Sequence, residues 1–531
     1  MNLLRSLVVS SFPYTSVIFS TIHPTDSRVT GFLLPSSCCS LFPLGNSISR
    51  RREFLVGSGG GGFLLSSSTS ASASSDDSAP MSSSSSSPSQ MNTNTHNQRS
   101  SIRWGIVGLG DVTQVKSGPP FWKCEGSDLV AVMRRTPGKA AEFAAKVPRT
   151  TNHECCTGYQ NLDDFFDHPG GLDAVYVATR PGTHLEIAKK VAAAGLACYV
   201  EKPVGRCAAE TQALVELFAH KNLPLYTAYI SRAYARTQAV RKLLHEDGIL
   251  GEKLVAVQYV LRGMGGARDM TMTMKELPWR LDACQSGGGL IMDVGCHILD
   301  RLDYLCGPLE QVKGIAEHRV VPENERDTDI TNNPVVENYC HTTAIVGART
   351  AIATPGAVST SLPKKDRGCA CEGATVDLTW DFSGTTTNDD DDDIDELRLV
   401  GSNGKTLTMA GMSPDGPIQV LDNDESSTIM ETFTFDKPEH TAQRLIQAIT
   451  NDLLDRKKAA SPPQSPLPSP PPPPRVDFLS FGENALRTQR VIDTMLDSYY
   501  GGRDIGYWER SWPGSGSEPE RPVETSTRTK S

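Results

Sequence analysis

Three groups of residues in this chain have types and spacings that could do chemistry. Asp293 and His297 stand four apart, which puts both on one face of a helix. A carboxylate beside an imidazole can raise its basicity and fix its orientation, as a proton-exchanging group requires. The same pair is also a common structural contact. With no third ligand in register, it does not read as a metal site. Glu201-Lys202-Pro203 supplies an ammonium. Pro203 disfavours helix at Lys202, and a lysine at a strand end either polarises a substrate oxygen or pairs with the glutamate at the surface. Gly108-Leu109-Gly110 supplies backbone N–H groups, since glycines permit a tight turn and close approach of a pyrophosphate. The third position of G-x-G-x-x-G is Thr113 rather than glycine. His341 and His440 stand in no motif and read as structural.

A dinucleotide loop of this kind usually has an acid at the end of the second strand to hold a ribose 2′-hydroxyl. Here that strand ends Met133-Arg134-Arg135-Thr136, with no Asp or Glu before Lys139. Two guanidiniums at this point suit a 2′-phosphate, so NADP is the expected cofactor and NAD remains possible. The alternative is a pair of solvated arginines.

These groups need elements to hold them. Ile102–Val107, Leu129–Met133, Ala174–Ala178, Cys198–Val200 and Leu225–Ala228 are short apolar runs. Helical patterns separate them, and such alternation implies a parallel sheet covered on both faces. Thr136 with Pro137 predicts a helix start before Ala140–Ala145. Thr183 and Glu186 form a capping-box pattern ahead of Ile187, Ala188, Val191 and Ala192. Ala208–His220 reads as a further helix. After Tyr229 the texture changes. Helices are expected at Ala233–Glu246, Gly289–Leu305 and Glu483–Leu496, and strands at Leu254–Leu261, Thr342–Val346, Ala374–Phe382 and Leu397–Val400. Gly287-Gly288-Gly289, just before Asp293, permits close backbone approach to a ligand. The expected class is α/β, with a Rossmann domain over 101–228. A β-rich α+β domain over 229–515 follows.

Composition narrows the function. Residues 1–100 are Ser-rich, and only Asp26 and Glu53 precede Asp76 as acids. High Ser, some Arg and few acids make a targeting extension to a plastid or mitochondrion. Plain disorder in a cytoplasmic protein is the alternative, and Ser49-Arg50-Arg51-Arg52 also suits a twin-arginine signal. An acidic loop at 388–395, a Pro-rich insertion at 461–474 and a tail at 516–531 lie outside the packed core. The net charge of −10 and pI of about 5.6 argue against nucleic acid as a partner. No apolar run approaches the roughly 18 residues of a membrane helix. Cys369 and Cys371 form a C-x-C without a second pair at zinc spacing, so they read as plain thiols.

Together these pieces resemble the glucose–fructose oxidoreductase, inositol dehydrogenase and rhizopine catabolism (Gfo/Idh/MocA) family over roughly residues 101–515. Gly105–Gly110 is similar to its nucleotide loop, and Ala178-Thr179-Arg180-Pro181 with His184 to the loop after the third expected strand. Glu201-Lys202-Pro203 and the segment from Ser286-Gly287-Gly288-Gly289 to Asp293-Val294-Gly295-Cys296-His297 resemble its most characteristic motifs, some ninety residues apart and in its order. Thr113 and the early break at Gly118-Pro119-Pro120 depart from the pattern, as in an uncharacterised subgroup. The resemblance implies a dehydrogenase moving a hydride between a nicotinamide cofactor and a CH–OH group of a sugar, inositol or related polyol or diol. It implies Lys202, Asp293 and His297 as catalytic residues. Gly108, Leu109, Gly110, Arg134, Arg135, Thr179, Pro181, His184, Glu201 and Lys202 would be cofactor contacts. It implies that the 229–515 domain carries a large, open, mainly antiparallel sheet for substrate binding and dimerisation, places Trp279, Arg280, Tyr229 and Arg232 near substrate, and implies a homo-oligomer, dimer or tetramer. A catalytically silent dinucleotide-binding regulator of the same fold is the alternative.

Overall fold

The computed structural model describes residues 101–150, 153–263, 279–318, 336–349, 369–382, 394–422, 428–460 and 476–503. The extension 1–100, the Pro-rich stretch and the tail lie outside the described residues. So does the acidic loop, except for Ile394 and Asp395, which open a strand.

The first sheet has six strands: β1 (Ile102–Val107), β2 (Ser127–Met133), β3 (Thr157–Tyr159), β4 (Ala174–Val177), β5 (Ala197–Val200) and β6 (Leu225–Thr227). Their order is β3-β2-β1-β4-β5-β6, with every pair parallel. Every residue of β2, β4 and β5 is buried, because helices cover both faces; this is why these strands are continuous apolar runs. The intervening helices are α1 (Asp111–Val115), α2 (Pro120–Lys123), α3 (Lys139–Ala144), α4 (Leu162–Phe166), α5 (His184–Ala193) and α6 (Ala208–His220).

Two helix starts differ from expectation. Gly138, at φ +77°, rather than Thr136, precedes α3. At α5 the Thr183 hydroxyl donates backwards to Thr179 Oγ1 (2.8 Å) and the Arg180 carbonyl (3.0 Å), so it caps no helical N–H. A 3-10 turn over Pro181–Thr183 tightens the chain there instead.

The second sheet is built from β7 (Leu254–Arg262), β8 (Leu309–Glu317), β9 (Tyr339–Val346), β10 (Thr375–Asp381), β11 (Ile394–Gly401), β12 (Lys405–Met409), β13 (Ile418–Asp422) and β14 (Ile429–Phe433). Its order is β14-β13-β12-β11-β7-β10-β9-β8, and only β7 and β10 run parallel. Before β7 comes α7 (Ala235–His245). Between β7 and β8 lie α8 (Ala283–Ser286), a π-helical turn Ile291–Gly295 and α9 (Cys296–Leu305). The chain ends with α10 (Gln443–Ala460) and α11 (Gly482–Tyr500). Both return to the first domain: α10 packs on α2 and β1, and α11 packs on α6 and β6. Gln447 Oε1 accepts the Glu125 N–H at 2.8 Å, and the Leu454 side chain lies against Gly126.

Arg232, expected near substrate, is instead part of the core. It forks onto Asp300 at 2.8 and 2.7 Å and reaches Asp303 at 3.1 Å, while Arg487 holds Asp303 through two bonds of 2.7 Å. Burial pushes the Asp300 carboxyl up to about 6 even against the pull of Arg232. Removing one partner of such a cluster leaves a buried charge uncompensated. Arg232→Ala should therefore lose about 3–5 kcal/mol of stability, read as a drop in the urea midpoint. A midpoint unchanged from wild type would contradict this account.

Candidate active site

The site lies at the carboxyl edge of the parallel sheet, around the switch between β1 and β4, where the strand order reverses. Gly108 sits at φ +99°, and a Cβ there would meet the Ala178 carbonyl oxygen at 2.7 Å. Only glycine lets the loop after β1 cross so close to the end of β4. At Gly110 a Cβ would meet nothing within 4 Å. Among the described residues no acceptor takes the Leu109 or Gly110 N–H. The loop thus presents donors to open space, the shape a dinucleotide pyrophosphate fits. Thr113 is buried, and its hydroxyl donates to the Gly110 carbonyl at 2.7 Å. In place of a third glycine, this threonine closes the turn.

Arg134 is half-buried and donates to the Leu109 carbonyl, bracing the loop, whereas Arg135 is exposed. The two guanidiniums therefore do not act as one pair. Thr179 stands beside the loop, its Cγ2 2.9 Å from where a Cβ at Gly108 would lie, and Pro181 is buried at the start of the turn that follows, but His184 does not reach the surface. Its ring is fully buried, with Nδ1 3.0 Å from the Pro203 carbonyl and Nε2 3.0 Å from the Thr179 carbonyl. It ties two loop backbones together beneath the surface, so it positions cofactor contacts rather than making one.

Lys202 follows β5, and its peptide bond to Pro203 is cis. Its ammonium donates to Asp293 Oδ1 at 2.6 Å and to the Asp293 carbonyl at 2.8 Å. The other carboxylate oxygen accepts Arg280 Nε at 2.8 Å. Burial opposes both charges, but Lys202 and Arg280 hold the Asp293 carboxyl below the usual carboxylate range, and Asp293 holds the Lys202 ammonium above its own. Glu201 accepts from the Tyr176 hydroxyl and, at 3.2 Å, from the Lys202 N–H, while burial pushes its carboxyl up.

Asp293 and His297 lie within electrostatic reach of each other, but no hydrogen bond joins them among the described residues. The π-turn Ile291–Gly295 adds a residue to the local spacing. The carboxylate turns to Lys202 and Arg280, and the imidazole lies edge-on to the Tyr229 ring, centroids 6.3 Å apart. Tyr229 is buried. Burial and then the Lys202 ammonium hold the His297 imidazole well below its ordinary pKa, against the pull of Asp293. The glycine run before Asp293 approaches protein rather than ligand. A Cβ at Gly287 would meet the Arg206 carbonyl oxygen at 2.6 Å, and one at Gly289 the Glu337 carbonyl oxygen at 2.4 Å.

Sequence reasoning missed Lys116, which is half-buried at the end of α1 and close enough to Lys202, Asp293, Arg280 and His297 to perturb them or be perturbed. No motif marks it. Its only signal is the early helix break at Gly118-Pro119-Pro120. Arg280 stacks on the Trp279 ring at 4.6 Å, and Arg180 lies 5.9 Å from the same ring.

An open glycine loop on a six-stranded parallel sheet, facing a mixed sheet whose helix answers the lysine, defines a two-domain dinucleotide-binding architecture. The chain belongs to the Gfo/Idh/MocA family. Residues 102–229 match its oxidoreductase model with an NAD-binding Rossmann fold, and residues 237–352 match a Gfo/Idh/MocA C-terminal domain. It is 32% identical to an oxidoreductase of Formosa agariphila over 215 residues, 40% of this chain and 63% of that protein. It is 28% identical to the trans-1,2-dihydrobenzene-1,2-diol dehydrogenase of Mus musculus over 234 residues, 43% of this chain and 63% of that one. The match thus spans less than two thirds of either relative. The aldose–aldose oxidoreductase of Caulobacter crescentus, crystallised with glycerol, shares the fold at a TM-score of 0.51 and 21% identity, covering 76% of this chain and 98% of its own.

Because the folded state disfavours the imidazolium, His297 contributes stability that is present above about pH 6.5 and lost as pH falls below it. In NMR of histidine-labelled protein, with His297→Gln for assignment, His297 should titrate below the ordinary value of about 6.5. Lys202→Met should move it upward. An ordinary titration in wild type, or a downward move in the variant, would contradict this electrostatic picture.

Proposed function

We propose that this protein is a nicotinamide-dependent dehydrogenase or reductase acting on a CH–OH group of a sugar, inositol or related polyol or diol, with NADP as the preferred cofactor. The observation that carries the reading is Lys202, at the end of β5, held 2.6 Å from Asp293 on the turn that leads into the helix of His297. When bound, the nicotinamide accepts or supplies the hydride. The Lys202 ammonium holds the substrate oxygen and disperses charge as it develops there. His297, uncharged in the resting protein, takes the hydroxyl proton in oxidation and returns it in reduction. Asp293 keeps Lys202 charged and in place. The glycine loop and Thr179 hold the dinucleotide, and Arg135 reaches a 2′-phosphate. Exposed apolar side chains on the second sheet, Val255 on β7 and Ile315 on β8, support extending the proposal to a homo-oligomer.

A panel of sugars, polyols and dihydrodiols with each oxidised cofactor, followed by reduced-nicotinamide absorbance, tests the activity. On a substrate so found, His297→Ala and Lys202→Ala should each lower kcat by about 10²–10⁴, with cofactor affinity nearly unchanged for His297→Ala. Near-normal turnover in both variants would remove Lys202 and His297 from the catalytic role, and dinucleotide binding without turnover of any compound would move the protein to the silent-regulator class.

Cofactor choice has its own test. A charge-assisted contact contributes about 1.5–3 kcal/mol, roughly ten- to a hundredfold in affinity. Arg135→Ala should weaken NADP binding by that factor and leave NAD alone. Arg134→Ala should weaken both, because it also braces the Leu109 carbonyl. A wild-type preference for NAD would refute the 2′-phosphate assignment.

A further inference from the structure

The last helix ends in a turn that reaches back to the site. α11 stops at Tyr500, and Gly501 and Gly502 follow at φ +69° and +98°. Two left-handed residues in succession reverse the chain. They bring Arg503 against the seam between the two halves of the fold, with its side chain only 1% exposed. Nη2 donates to the Arg206 carbonyl at 2.7 Å and to the Gly287 carbonyl at 2.5 Å, with Met292 Sδ 3.6 Å away. Nε pairs with Asp493 Oδ1 on α11 at 3.1 Å. The other oxygen of that carboxylate accepts the Ala208 N–H at 2.6 Å, at the start of α6.

The two carbonyls belong to the segments that carry the ion pair. Arg206 lies four residues after Lys202, and Met292, beside the guanidinium, directly precedes Asp293. Both segments are tightly held. A Cβ at Gly205 would lie 2.7 Å from the Glu210 Cβ. The Arg206 side chain donates across the seam to the Cys284 carbonyl at 2.9 Å. Further along the glycine run, the Gly289 N–H donates to Glu337 Oε1 at 2.7 Å, and Glu337 also accepts from the Tyr500 hydroxyl. The end of α11 thus grips this run both through Arg503 and, by way of Glu337, through Tyr500. Two buried carbonyl oxygens that converge repel each other unless a donor stands between them, and a guanidinium is a strong one. The helix itself does not depend on Arg503, because Val491, Ile492, Met495 and Leu496 bury its apolar face.

We propose that Arg503 is a positioning residue: it clamps the glycine run to the loop after Lys202 and so sets the register in which Lys202 meets Asp293. Its effect on catalysis rests on the dehydrogenase reading above, and the clamp itself does not.

The test uses the full chain. On a substrate found by the panel with NADP, Arg503→Gln should lower kcat by about ten- to a hundredfold, with NADPH affinity nearly unchanged. Arg503→Lys keeps the charge but loses the fork, and should recover part of that loss. Because Arg503 acts through Lys202, Arg503→Gln should cost little more in a Lys202→Ala background. An equal fold-loss in both backgrounds would mark a general structural role and overturn the proposal, as would near-normal kcat in Arg503→Gln. Hydrogen exchange followed by mass spectrometry needs no turnover. Peptides over 200–207 and 284–293 should exchange faster in Arg503→Gln than in wild type, while those of β1 and β4 keep their rates. Unchanged rates at the two segments, or a rise across the whole chain, would overturn the clamp. If Arg503→Gln does not fold, Arg503→Lys takes the same exchange comparison with the same outcomes. If no compound turns over, the dehydrogenase reading fails separately, and exchange alone decides the clamp.

Discussion

The structure turns on one ion pair. Lys202 comes from the end of a strand in the first domain and Asp293 from a π-turn in the second, and they meet with side chains only 13% and 15% exposed. The lysine takes both the carboxylate and the carbonyl of the same aspartate. It therefore fixes the backbone of the π-turn as well as the charge on it. A buried pair contributes little net stability, because desolvation offsets most of the attraction. It does punish any other arrangement, since either charge left alone in that place is costly. What the pair supplies is registry: β5 of one sheet is held opposite the helix that leads to His297.

A second polar chain supports the first. Beneath Lys202, Tyr176 links Glu201 to Ser117. The tyrosine ring packs in a triangle with Phe121 at 5.2 Å and Tyr199 at 4.7 Å, which lie 6.5 Å from each other. A hydroxyl on so confined a ring has one direction to point, so the nucleotide-side turn and the catalytic strand end cannot shift independently. Thr113, His184 and Arg134 do comparable work at the loop, each replacing a flexible backbone contact with a fixed one. The cleft is preorganised by groups that do not face its interior.

Much of this was legible in the sequence. Strands buried on both faces, such as Ala174–Val177, stand out as apolar runs. The motifs at Gly108, Lys202 and Asp293 come together as their order implied. What was not legible has particular causes. The strand Leu309–Glu317 has one solvated face and little apolar content, so no run marks it. The helix Gln443–Ala460 does carry Leu445, Ile446, Ile449 and Leu453 at helical spacing, so its pattern is present in the sequence. The π-turn depends on a backbone bonding pattern that no residue type announces. Lys116 belongs to no motif, and the tightness of the turn that carries it shows only once Gly118 is seen against Thr113.

The return of α10 to β1 and α2 bears on how such a chain can be divided. Leu453 and Ile446 belong to a core that also holds Ile102, Trp104 and Phe121, more than three hundred positions earlier. The nucleotide-binding half is therefore not a transplantable module. Cut after the sixth strand, it would keep its loop and lose the cover over one face of its sheet, exposing a wide apolar surface to self-association. To be moved intact, that half would have to carry α10 with it.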